Sequence, residues 1–201
     1  MRDQSLLAEQ ERHAVERTLL WLDHVVIQEN FCPFAFFPLS KGRVRTVACF
    51  ESSKIECALF FKEEIVRLVH SSLDELETTL LVLSNEVFSE LELLLGFLDD
   101  MNVFLEDSGL DEAFQLVGFH PLYQFENEAL EARSNYTNRS PYPMIHIIRE
   151  DSMAKAIMHY GEDKTERIPY DNIRKLELMS DEEFKEKILK YCSYQNLVQR
   201  K

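Results

Sequence analysis

Glycine is scarce in this chain of 201 residues, with five in all, and proline totals six. That supply excludes collagen-like and Pro/Gly-rich disordered classes, and no Ser/Gly/Pro-rich run is left to act as a linker. The chain therefore reads as a single domain, 1–201, with 45% hydrophobic residues. A chain of this length can bury roughly 70% of its unfolded surface in one core. Cysteine is rare too: Cys32, Cys49, Cys57 and Cys192, none at CxxC spacing. A disulfide scaffold or a Cys-rich metal module is thereby excluded, and reduced thiols in a cytoplasmic protein are expected. Long apolar runs are missing, because nothing approaches ~18 such residues and the first turns carry charges throughout, so neither a membrane span nor a signal peptide is expected. No GxGxxG, Walker loop, GxSxG or HExxH occurs, so the sequence names no cofactor and no metal set.

Positive charge is the next shortage. Lys and Arg total 22 against 36 Asp and Glu, a net charge of −14, which argues against a nucleic-acid or anionic-membrane partner. The acids are unevenly spread. Asn30–Phe50 and Ala132–Arg149 contain none, where a uniform distribution would place about seven. Lys41, Arg43, Arg45, Arg133, Arg139 and Arg149 fall in these two stretches, and at least three of them are expected to converge on one electropositive pocket.

Periodicity supplies the elements. Val15, Thr18, Leu19, Leu22, Val25 and Val26 mark a first helix ending near Asn30, and Pro33 and Pro38 leave FCPFAFFP as an aromatic loop. Arg43–Phe50 reads as a strand, and Ile55, Leu59, Ile65, Val66 and Val69 mark a second helix. Thr78–Ser84 is a nearly continuous apolar run, as in a strand covered on both faces. Val87 to Leu105 forms a third helix closed by Gly109 as its C′ residue. Phe114–Phe119 and Met144–Arg149 are strands, followed by helices about Asp151–His159 and Asp181–Tyr191. The last carries a capping box, Ser180 with Glu183. The fold class is α/β: a small mixed sheet of about four strands, three from alternating β-α units and one antiparallel, with helices packed on it.

Most of the polar chemistry lies between Phe119 and Glu150, in FHPLYQF and NYTNRSPYPMIHIIRE. Two histidines, three arginines and the asparagines Asn135 and Asn138 gather there around Pro121, Pro141 and Pro143, and the loop His120–Pro143 is long enough to be functional. His120, released at a strand end, has the position of a general acid or base. Arg139 with Arg43 or Arg45 has the fork geometry to clamp an anion. Asn135, Tyr136 and Asn138 would orient the ligand, and His146, alternating with Met144 and Ile148, lies on one strand face. Cys32 follows a helix C-terminus among aromatics, which fits a buried, unreactive thiol better than a nucleophile.

The pieces TLLWLDHVVIQENFCPFA, TTLLVLS, GFHPLYQF, NYTNRSPYPMIHIIRED and IPYDNIRKL together resemble a bacterial family of uncharacterised proteins, domain of unknown function family 1415, over roughly residues 18–176. The resemblance implies positions without roles. Three readings remain open: an enzyme acting on a small anionic metabolite through a His/Arg/Asn site, a non-catalytic module binding an anion or a peptide carboxylate, and a structural protein whose motif is an ordered turn cluster.

Overall fold

Six consecutive buried residues, Thr78–Leu83, form strand β2 of the computed structural model, which describes residues 4–192. β2 pairs in parallel with β1 (Val44–Cys49) and antiparallel with β4 (Met144–Arg149), and β4 pairs antiparallel with β3 (Phe114–Phe119). The order across the four-stranded sheet is β1-β2-β4-β3. This is the expected α/β mixed sheet. β1, β2 and β3 run one way, and β4 is inserted between β2 and β3. The β1→β2 and β2→β3 connections are α3 (Lys54–His70) and α4 (Leu91–Asp107).

Both crossovers lie on one sheet face. Phe61, Ile65 and Leu68 of α3 and Leu94, Phe97 and Leu105 of α4 pack on Leu81, Leu83, Ile145 and Ile147. The other face carries α1 (Gln4–Trp21), the π-turn Leu22–Ile27 and the later helices, whose Ala14, Trp21, Val25, Leu176 and Ile188 cover Leu80, Val82 and Met144. The sheet is thus buried on both sides, so β2 has no polar-facing residue to alternate with. Those later helices are α5 (Glu150–Tyr160), α6 (Glu162–Leu178), α7 (Asp181–Phe184), a second π-turn (Lys185–Leu189) that carries Ile188, and α8 (Lys190–Cys192).

Local chemistry sets the ends. The Ser53 hydroxyl accepts from Glu56 N and its own proton reaches Glu56 Oε2 at 2.8 Å, which starts α3. Ser180 and Glu183 make the expected capping box. Gly109, at φ +64°, is the left-handed residue beyond α4. Two elements depart from the periodicity. Pro38 sits inside a short helix, α2 (Phe36–Ser40), where a loop is expected. α6 carries Pro169 in its interior and buries only Leu176, so neither its composition nor its apolar spacing announces a helix.

The second helix is where expected but faces differently. Of its five marker residues only Ile65 is buried, while Ile55, Leu59, Val66 and Val69 are 76%, 57%, 55% and 49% exposed. The core is made instead by Cys57, Phe61, Glu64, Ile65 and Leu68. No helix among the described residues is long and apolar enough to cross a membrane.

Candidate functional site

The loop His120–Pro143 is ordered around a 3₁₀ turn, Arg133–Thr137, and its polar residues are largely spent on holding it. Asn135, fully buried, accepts from Phe125 N through Oδ1 at 2.9 Å and donates to Ala129 O and Leu130 O at 2.8 and 3.2 Å. Asn138 accepts from Thr137 Oγ1 at 3.0 Å, and its carbonyl takes the His120 N–H. Arg139 is buried: Nε donates to Tyr123 O at 3.0 Å, Nη2 to Leu130 O at 2.7 Å, and the guanidinium lies 4.5 Å from the Tyr136 ring centroid. A side chain held this way is a clasp on the loop, whereas the sequence suggests a solvent-facing clamp.

His120 is 1% exposed and uses both ring nitrogens. Nε2 lies 3.0 Å from Phe88 O, and Nδ1 accepts from Leu122 N at 3.0 Å. That pattern assigns the proton to Nε2, and burial holds the ring below its ordinary pKa against the pull of the Phe88 carbonyl. His120, Tyr136 and Arg139 do line one crevice, about 870 Å³, beyond the C-terminal ends of β2 and β3, with Lys185 and Lys190 opposite.

The cations of the two acid-free stretches do not pool. Arg43 pairs with Asp74 and lies 3.9 Å from Glu77. Arg45 grips the buried Glu64 with two bonds, 2.7 and 3.1 Å. Arg133 binds Asp181 and the carbonyls of Leu176 and Met179. Arg149 donates to the carbonyls of Leu68, Ser71 and Leu76. The acids missing from these stretches are thus supplied by α3, by residues 74–77 and by Asp181, so the charge census along the chain marks sites of tertiary pairing. Arg45 on edge strand β1 and Arg43 just before it are not brought to the crevice that holds His120 and Arg139.

His146 reaches a different place. It shares with Thr78 and Leu80 the sheet face under α1, with Leu80 directly opposite it across the β2–β4 pair. The chain that roofs this face is shaped by the π-turn, in which Gln28 N reaches back to Asp23 O at 3.0 Å and Phe31 N to Val26 O at 2.9 Å. Asn30 then adopts φ +53°, which turns the chain so that Phe31 and Cys32 cross over the strands. A π-turn widens a helix by one residue, a device common beside functional sites. Between this roof, the sheet and α5 lies a mostly apolar cavity of about 190 Å³. Trp21, Phe34, Phe119 and Met153 supply apolar wall, and Cys32, Thr78, Thr137, His146 and Ser152 supply polar groups, with the ionisable Glu77 and Arg149 at its margin.

The Thr78 hydroxyl donates to Ile147 O at 2.6 Å and lies 2.7 Å from His146 Nε2. Because that hydroxyl proton is committed, Nε2 must be the donor to Thr78, and Nδ1 is left as a bare lone pair. No described residue hydrogen-bonds to Nδ1. Burial pushes the His146 pKa down to about 4, so the ring is neutral at pH 7. Cys32 is partly buried, and burial raises its thiol pKa against the opposing amides of Phe34 and Ala35. Among the described residues no three His, Cys, Asp or Glu gather as a metal site. Thr78 and the α5 side chains carry no signal in the sequence, except that Thr78 opens an apolar run as a polar residue.

A sheet covered on both faces, with an internal cavity on one of them, defines the class: a three-layer α/β protein. Residues 13–186 match the model of the family described as protein of unknown function DUF1415, and the chain belongs to that family. No curated protein and no solved structure matches it.

Proposed function

We propose that the protein binds a small, mostly apolar molecule in the cavity between the sheet and α5, anchored by a hydrogen-bond donor on the ligand to Nδ1 of His146. The observation that carries this reading is the bare Nδ1 of a neutral imidazole in a mostly apolar, partly enclosed space. At about 30 Å³ per water the cavity accommodates about six waters, or a molecule of one ring, two fused rings or a short aliphatic chain. The magnitude of the pKa decides between acceptor and base. A group that titrates near pH 4 is a weak proton acceptor at pH 7, so His146 recognises a donor better than it removes a proton. Neutral probes such as indole and cyclohexanol should raise the melting temperature through mass action. They should lose that effect in Ala156→Phe, which fills the cavity from α5. Equal stabilisation of both proteins would end the proposal.

A second reading keeps the small anionic ligand, held in the crevice beyond β2 and β3. The position favours it, because ligands of α/β sheets commonly sit outside the C-terminal strand ends, and Lys185 and Lys190 line the crevice there together with Glu86 and Glu186. Phosphate or citrate at low millimolar concentration would then stabilise the protein beyond matched chloride, and Lys185→Ala with Lys190→Ala would remove the effect. In this reading His120 and Arg139 position the crevice, since their hydrogen bonds are already made within the loop.

A further inference from the structure

Helix α3 shows its apolar residues to solvent. Ile55, Leu59, Lys62, Val66 and Val69 follow one another at intervals of four and three residues, the spacing of a helix–helix seam. Four of the five are large aliphatics between 49% and 76% exposed. The fifth, Lys62, lays its ammonium 4.6 Å from the centroid of Phe104 on α4, which leaves its aliphatic stem on the seam. The stripe is about 21 Å long at 1.5 Å per residue, four turns of helix. It is the opposite side of the helix from Phe61 and Leu68, so the sheet does not need it.

What flanks the stripe selects its occupant. Glu56 and Glu63 are exposed on α3 beside it, and Arg67 on the same flank is paired with Glu64 at 3.4 Å. The neighbouring α4, joined to α3 through the Phe61–Phe104 contact, carries Glu92, Asp99, Asp100, Glu106 and Asp107 and no Lys or Arg. None of Glu63, Asp99, Asp100, Glu106 and Asp107 pairs with a cation among the described residues. A second copy brought onto this face would set acids against acids. A basic partner would find the charges complementary and the apolar stripe ready to be covered.

We infer that the outer face of α3 and α4 is a docking surface for a basic amphipathic helix of another protein. Its apolar side lies along Ile55, Leu59, Val66 and Val69, and its Lys or Arg side chains reach the carboxylates of α4. The probe is a fluorescent peptide of about 15 residues, four turns of helix, built of Leu and Lys in amphipathic order. A Leu/Glu peptide of the same pattern is the control. Fluorescence polarisation should show the basic peptide binding and the acidic one not. The double variant Leu59→Ser with Val66→Ser keeps the charge unchanged and should weaken binding at least about tenfold. Asp100→Asn with Asp107→Asn should flatten its salt dependence. Both variants change exposed side chains, and an unchanged melting temperature confirms that they fold. Undiminished binding to Leu59→Ser/Val66→Ser would overturn the inference. Concentration-dependent dimerisation of the native protein, lost in that variant, would also overturn it and assign the face to a second copy.

Discussion

Acid should destabilise this protein through His146 in a pH window set by one residue. The unfolded imidazole titrates near 6.5, while in the native state burial lowers the value to about 4. The folded chain therefore binds fewer protons between these values. The contribution is fully present above pH 6.5, falls as pH drops through the window, and is exhausted below pH 4. At 1.36 kcal/mol per pKa unit the full swing is at most about 3.4 kcal/mol, and because the ring still meets the cavity, about 2 kcal/mol is the working figure. His146→Gln isolates it, because the amide can donate to Thr78 Oγ1 as Nε2 does yet cannot take a proton. Urea unfolding of both proteins at steps from pH 7.5 to 4.5 should show the gap between them changing by about 2 kcal/mol in favour of the variant as pH falls. A gap that stays constant within about 0.5 kcal/mol would show that His146 titrates normally, and the buried neutral imidazole would be refuted.

Other perturbations separate scaffold from site. Glu64→Gln leaves Arg45 and Arg67, 35% and 53% exposed, facing a neutral amide, and urea unfolding should register a loss of about 1 kcal/mol. Arg139→Ala removes two hydrogen bonds and a ring contact from the buried loop and should cost about 2 kcal/mol, whereas a change under about 0.5 kcal/mol would restore it as an exposed clamp. Iodoacetamide at pH 7 should reach Cys32 before Cys49, Cys57 and Cys192, since those three are buried, but more slowly than in the unfolded chain. Indole should slow it further, and protection absent at saturating indole would separate Cys32 from the proposed ligand.

The sheet was legible because its strands satisfy simple rules. Phe114–Phe119 and Met144–Arg149 are found at the residues where short apolar runs bounded by turn residues place them. Helix positions were legible too, while their orientations were not. On α3 the periodic aliphatics face outward, and the core takes Phe61 and Leu68 instead, because periodicity reports that a face exists and not which side the sheet occupies. α6 stayed hidden because its contacts are polar and distant: Lys175 meets Glu29 at 2.8 Å and Asn172 donates to Phe31 O at 2.8 Å.

The dense polar motif holds its own loop together. Asn135, Arg139 and His120 look like ligand chemistry because they carry many donors and acceptors, but a buried loop needs the same groups to satisfy its own backbone. His146, by contrast, stands on an apolar strand and resembles a packed core residue. What distinguishes it is Thr78, 68 residues earlier, which fixes one ring nitrogen and frees the other. That relation depends on strand pairing and has no trace in local spacing.

The central claim concerns the proton on that ring. Long-range ¹H–¹⁵N correlation spectra of His146, taken from pH 7.5 to 4 with and without indole, test it most directly. The account predicts an Nε2–H tautomer, no protonation until pH approaches 4, and a shift of the bare Nδ1 resonance when indole binds. An Nδ1–H tautomer, a titration near pH 6.5, or an Nδ1 signal indifferent to saturating indole would contradict it.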